Sequence, residues 1–339
     1  MDARPLELIR KVCKGKTHIK LTVGALDANS NQTIRVFGQS GELKNENYIY
    51  EIGSITKTFT ASLLAKQIHE QKMSLDDPIS KYVDGLDGDR YYPTLKRLAT
   101  HTSGYARFLP LSMWEGIKLL PSMLLSGKKQ GIFPFHMDLD KMKRLVRENK
   151  LQDKDYLWHY SNFAVALLGY AVSVASGRDY KSMMNDFLSN ELSLSHSYTG
   201  TSASKNLHGF NRKNKDIGNW VWGKDLTAPA GDISSTAKDL LEYARINMYD
   251  EKPYLALCHQ KHASAKGHDM GLGWIMSKSN NHILWHNGGT GAFRSFLAFD
   301  KEKKLATVAL VNYPSSHIDI EKIGSTMLEN LQKGVTAID

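Results

Sequence analysis

At 339 residues, 41% of them hydrophobic and 23% charged, the chain can bury a substantial core as one large domain or two interleaved subdomains. Its net charge of +9 is dispersed in basic blocks at 11–16, 141–154, 205–215 and 301–304, which read as solvated faces. Without a basic stripe carrying stacking aromatics, nucleic-acid binding is excluded, and at most a mild attraction to anionic substrates or surfaces remains. No apolar run is long enough to span a bilayer, and residues 1–20 lack the apolar core of a signal peptide. The expectation is a cytoplasmic protein as the chain stands, exported or anchored if an N-terminal segment was removed. Cys13 and Cys258 lie far apart without metal spacing, so two free thiols are the default and one disulfide the alternative.

Residues 17–38 read as a β-hairpin: Ile19, Leu21 and Val23 alternate before a turn-rich 27–31, and Ile34 and Val36 after it. From Ser54 the period lengthens, with Phe59, Leu63, Leu64 and Ile68 at helical spacing over about 54–71. Asp76-Asp77-Pro78 opens a short helix ending near Tyr82. Residues 94–250 are mainly helical, clearest at 139–148, 162–175, 180–192 and 236–248, the last introduced by the cap-like Ser234-Ser235-Thr236. Strands return at 273–276, 283–286, 295–299 and 306–312, and a helix over 318–332 closes the chain. Strands at both ends of a helical middle predict an α/β unit built from the two termini, about 1–72 plus 255–339, with a helical part inserted at about 73–254. A cleft between two such parts is a usual ligand site.

Three short motifs can carry chemistry. Ser54-Ile55-Thr56-Lys57 follows Gly53 and opens a helix, where free N–H groups and the dipole favour developing negative charge. Lys57, one turn on, brings an amine to the same face, and an amine of lowered pKa can help activate a hydroxyl. By itself a serine there is ordinarily a helix cap. Tyr160-Ser161-Asn162 precedes an apolar helix. Beside a cation, a tyrosine can be held as phenolate or share its proton and act as a base, and Asn162 offers an amide that donates and accepts. The plain alternative is a helix start capped by Asn162. His286-Asn287-Gly288-Gly289-Thr290-Gly291 follows a strand, and its glycines let backbone N–H groups approach a substrate, as an oxyanion hole requires. The plain alternative is a glycine-rich turn.

Together, the order S-x-x-K, Y-x-N, H-x-G and separations of about 100 and 125 residues resemble the class C β-lactamase and penicillin-binding-protein-like serine hydrolases. That family includes D,D-carboxypeptidases, D-amino-acid peptidases, esterases and acyltransferases. Residues 51–60 (EIGSITKTFT), 73–83 (MSLDDPISKYV), 95–105 (LKRLATHTSGY) and 229–244 (PAGDISSTAKDLLEYA) extend the likeness over about 17–335. The resemblance implies an α+β fold, an antiparallel sheet flanked by helices with the helical insertion. It implies that Ser54 forms an acyl-enzyme, Lys57 orients and helps deprotonate it, Tyr160 shuttles protons, and Asn162 positions Lys57 and substrate. The oxyanion hole would be the amides of Ser54 and Gly289, beside Gly288. His286 stands where class C β-lactamases carry the lysine of K-T-G, which weakens recognition of a carboxylate. It could still serve as a hydrogen-bond donor, and as a cation at lower pH.

The resemblance therefore points to an esterase or D-amino-acid-type peptidase acting on a small-molecule or peptide acyl donor, with water or another nucleophile as acceptor. It calls for no cofactor and no metal. An acyltransferase of secondary metabolism, a true β-lactamase and a non-catalytic binding or sensor protein are the rivals. Residues 108–127 are unusually apolar and read as core or subunit contact, or as a lid or acyl-chain receptor. Glu115 and Lys118 argue against a membrane span. The loop 211–226, with Trp220 and Trp222, either walls the cleft or packs on the surface. His259, His262 and His268 with Asp269 read as solvated histidines rather than a zinc site, and His101 as structural.

Overall fold

The computed structural model describes residues 4–44, 46–107, 136–200, 207–222 and 226–338. An amphipathic helix α1 (Pro5–Cys13), which the sequence reading did not anticipate, starts with proline in its first turn and buries Leu8, Ile9, Val12 and Cys13. The hairpin follows as β1 (Leu21–Leu26) and β2 (Gln32–Gly38), with a short β3 (Gly41–Leu43). The Asp27 carboxylate closes its turn by accepting from the amides of Asn29 and Asn31, both at 2.9 Å.

After β4 (Tyr50–Glu51), the Ser54 segment starts as a 3-10 turn, Gly53–Ile55, before α2 (Thr56–His69). The helical middle supplies α3 (Leu95–Ala99), α4 (Leu139–Glu148), α5 (Asn162–Ser176) and α6 (Tyr180–Asp186), the last continuing as a π-turn, Phe187–Glu191, where one long helix was expected. Helix α5 is apolar all round and correspondingly central. Ser161 caps it by accepting from Ala164 N–H, and Gly177 at φ 64° ends it. Then come β5 (Tyr198–Thr199), β6 (Ile233–Ser235), α7 (Ala237–Met248) and α8 (Leu255–Cys258). The chain ends with β7 (Ala263–Ser264), β8 (His268–Met270), β9 (Ile275–Ser277), β10 (Ile283–Gly289), β11 (Arg294–Asp300), β12 (Leu305–Val311) and α9 (His317–Gln332).

The described strands form a nine-stranded antiparallel sheet in the order β3-β2-β1-β12-β11-β10-β9-β8-β7, so both chain ends build it. Strand β1 pairs with β12 in the register Leu21↔Val311. Both strands are buried on two faces, and alternation sorts their side chains. Leu21, Val23, Ala309 and Val311 join α1 and α9 in an outer core, whereas Leu26, Val308 and Leu310 face α7 and α2 in the inner one. Cys13 lies in the outer core and Cys258 in the inner one, both free, which excludes the disulfide alternative. Strands β4, β6 and β5 make a separate small sheet that fastens the turn bearing Ser54 to the residues before α7.

Candidate active site

The turn bearing Ser54 is held from two sides. Ile52 N–H donates to Ile233 O (3.0 Å) and Ile233 N–H to Thr56 Oγ1 (3.1 Å), tying it to β6, while Ser295 Oγ donates to Ile52 O (2.7 Å), tying it to β11. Gly53 takes φ +51°, and a Cβ there would lie 2.5 Å from Gly289 N; a Cβ on Gly288 would lie 2.0 Å from Ile52 O. Only glycines permit this approach, which sets the end of β10 against the start of the helical run. The structure thereby corrects one expectation. His286 to Gly289 belong to strand β10, in the register His286↔Leu297 and Gly289↔Arg294, rather than to a loop after it.

Ser54 is half-buried, and its Oγ lies 2.9 Å from Lys57 Nζ. Lys57 is 1% exposed and also donates to Ala230 O at 2.7 Å. Burial, then the nearby positive charge of Arg107, holds its pKa well below the usual lysine range, and among the described residues no carboxylate counters them. A neutral amine facing a serine hydroxyl is the state that can take its proton. The Tyr160 phenol is within hydrogen-bonding reach of Ser54, and its ring lies 5.0 Å below Lys57 Nζ and 5.3 Å from the Arg107 guanidinium. Burial pushes its pKa up to about 12, against the lowering by Ser54 and Arg107, so the phenol stays protonated near neutral pH. It suits a proton relay better than a phenolate base.

His286, 1% exposed, stands beside this group with its ring centroid 6.3 Å from that of Tyr160. Its Nδ1 lies 2.5 Å from Asn287 O, and a carbonyl only accepts, so Nδ1 carries the hydrogen. Burial, then Lys57, lowers its pKa to about 3. A neutral ring with Nδ1–H committed to the backbone leaves Nε2 as an acceptor, so the donor is already engaged, and the cation expected at lower pH would form only far below neutrality.

The structure thus brings Ser54, Lys57, Tyr160, His286, Gly288 and Gly289 together. Asn162 is placed differently. Its amide side chain is not among Lys57's hydrogen-bond partners, its backbone N–H donates to Arg107 O (3.0 Å), and Ser161 rather than Asn162 is the cap. The carbonyl of Ala230 is the partner that composition did not reveal, because a backbone acceptor has no side-chain signature. Around Gly289 a Cβ would meet His317 Cε1 at 2.6 Å and Arg294 Cδ at 3.3 Å, so two further basic side chains border the strand end. Residues 108–127 lie outside the described residues. In the loop 211–226, Trp220 reaches the site: a Cβ on Gly291 would meet its Nε1 at 2.6 Å. His259 bonds Asp250 and Asn247, and His262 bonds Leu257 O.

Glu51, next to the turn bearing Ser54, also escaped the sequence reading. Its buried Oε1 accepts from Trp220 N–H (2.7 Å), and burial raises its pKa to about 7 against the lowering by Thr290, Trp220 N–H and Asn219. A carboxyl raised from 4.5 in the unfolded chain stabilises the fold fully below pH 4.5 and loses that contribution as pH rises through 7, on the order of 3 kcal/mol. Glu51→Gln, which cannot ionise, is expected to flatten the fall in thermal stability between pH 4.5 and 8. An unchanged slope in thermal melts would remove Glu51 from that role.

Fold and site together define a serine hydrolase. The chain belongs to the β-lactamase family, whose family model, described as Beta-lactamase, matches residues 14–324. It is 26% identical over 317 residues to a β-lactamase of Pseudomonas fluorescens, covering 80% of this chain and 82% of that protein. A β-lactamase/D-alanine carboxypeptidase of Pseudomonas syringae superimposes with a TM-score of 0.76 at 18% identity, over 93% of this chain and 96% of that one. A D-stereospecific amidohydrolase of a Streptomyces species does so with 0.72 at 18%, over 93% and 97%. At such identities the structural likeness speaks for the fold alone.

Proposed function

We propose that the protein is an acyl-enzyme esterase or D-amino-acid-type peptidase in which Ser54 is the nucleophile. The observation that carries this reading is the 2.9 Å contact between Ser54 Oγ and the buried Lys57 amine, which among the described residues has no carboxylate partner to keep it charged. Ser54 Oγ attacks the carbonyl carbon as its proton passes to Lys57, and the amides of Ser54 and Gly289 receive the oxyanion. Collapse expels the leaving group, which takes the proton relayed through Tyr160. Water or another acceptor then gives up its proton along the same path, attacks the acyl carbon and restores Ser54.

The neutral His286 supports an ester or neutral amide over a β-lactam, because no permanent cation stands at its position to pair with a carboxylate. Short p-nitrophenyl esters, D-alanyl amides and nitrocefin compared by kcat/KM test the ranking. Esters are expected to lead and nitrocefin to trail by at least tenfold, and nitrocefin turnover far above ester turnover would reverse the reading.

A further inference from the structure

Tyr160 sits in an irregular stretch, residues 149–161, with no ladder or helix of its own to hold it. Yet a proton relay works only if its oxygen is fixed relative to Ser54. The amides immediately before and after it end on one residue. His159 N–H donates to His101 O (2.8 Å), and Ser161 N–H donates to His101 Nδ1 (3.2 Å). The imidazole of His101 also lies against the Tyr160 ring, with centroids 4.6 Å apart, and the edge of Trp158 closes on His101 at 6.2 Å. A backbone N–H only donates, so Nδ1 of His101 is a bare acceptor and the ring is the Nε2–H tautomer. His101 is 2% exposed, and this neutral form suits a ring buried beside Lys57.

The backbone of His101 adds a second, independent sign. Helix α3 ends in a Schellman arrangement, with His101 N–H donating to Leu98 O (3.4 Å) and Thr102 N–H to Arg97 O (3.0 Å). The residue after the cap takes φ +60°, the left-handed conformation that glycine adopts freely and a histidine only with strain. A glycine would serve the helix better. A ring at this position therefore needs another reason, and the bond from Ser161 N–H to Nδ1 and the ring's contact with Tyr160 supply it, since the carbonyl that holds His159 N–H would be present in glycine as well.

We infer that His101 is a positioning residue that clamps Tyr160, so that the phenol stays within reach of Ser54 while protons move. The inference rests on the acyl-enzyme reading proposed above, and its test separates the two. His101→Gly keeps the helix cap and relieves the strain but deletes the acceptor and the ring. His101→Asn keeps a short acceptor and tolerates φ > 0.

With p-nitrophenyl esters, His101→Gly is expected to lower kcat about 10- to 100-fold with KM moved less than threefold, as a misplaced relay does. His101→Asn should recover a measurable part of the loss. In a Tyr160→Phe background His101→Gly should cost little more, because the group it positions is already gone. Full activity of His101→Gly, or a loss of the same size with and without the Tyr160 hydroxyl, would overturn the inference. An activity-independent readout is the titration of ζ-13C-labelled tyrosine followed by NMR, the Tyr160 signal being assigned by its disappearance in Tyr160→Phe. His101→Gly should displace the resonance and the titration midpoint of that tyrosine, because the ring packed 4.6 Å from it and the bond holding the next amide are gone; an unchanged signal overturns the clamp even if no substrate is found. Absence of fluorophosphonate labelling at Ser54 of the wild-type protein, with the tyrosine shift present, sinks the acyl-enzyme reading and leaves the clamp standing.

Discussion

Ser54→Ala is expected to lower ester turnover by on the order of 10⁴-fold or more, and to abolish any acyl-enzyme detectable by intact mass across a small acyl-donor library. The size follows from the chemistry: no neighbouring group can replace a covalent nucleophile, and the surviving oxyanion amides and binding contacts accelerate only attack by water. The fold should be untouched. Ser54 is half-buried, its Oγ meets Lys57 and the Tyr160 phenol, and Lys57 keeps its bond to Ala230 O at 2.7 Å. Thermal melts of the two proteins should therefore agree within a few degrees. Turnover above about 1% of wild type, in a preparation free of wild-type protein, would assign the nucleophile to another residue.

Tyr160→Phe comes second, with kcat expected to fall about 10² to 10⁴-fold and KM to change little. The ring and its contacts with His101, Lys57 and Arg107 survive this substitution, so binding geometry is preserved and only the proton-carrying oxygen is lost. The acid limb of kcat/KM should persist in the variant, since it belongs to protonation of Lys57, whose pKa burial has depressed. Activity is lost as pH falls through that value and the amine becomes charged. Near-normal turnover in Tyr160→Phe would leave Lys57 as the sole proton carrier.

The Ser54–Lys57 pair shows why some of the candidate site was readable before any coordinates. Ser54 and Lys57 are three residues apart, so helical geometry alone puts hydroxyl and amine on one face, and the 2.9 Å contact is a local consequence. The same holds for the hairpin around 27–31 and for the helix 139–148, where alternation, period and caps are written within a dozen residues. Helix α1 was legible as well, because Pro5, Leu8, Ile9, Val12 and Cys13 recur at helical spacing behind an N-terminal proline, but the sequence reading passed over so short a segment; its apolar stripe packs against α9.

What the sequence by itself determined is thus the set of chemical groups and every arrangement spanning one turn of helix or one hairpin, because backbone hydrogen bonding and side-chain period are short-ranged. Only the tertiary structure decided that strands from both chain ends share one sheet, that β10 rather than a loop presents Gly288 and Gly289, and that Lys57 donates to Ala230 O. It also decided protonation: a lysine depressed, a tyrosine raised to about 12 and a histidine lowered to about 3. Desolvation causes each of these, and it depends on what the rest of the chain packs around a group, which no local stretch of residues encodes.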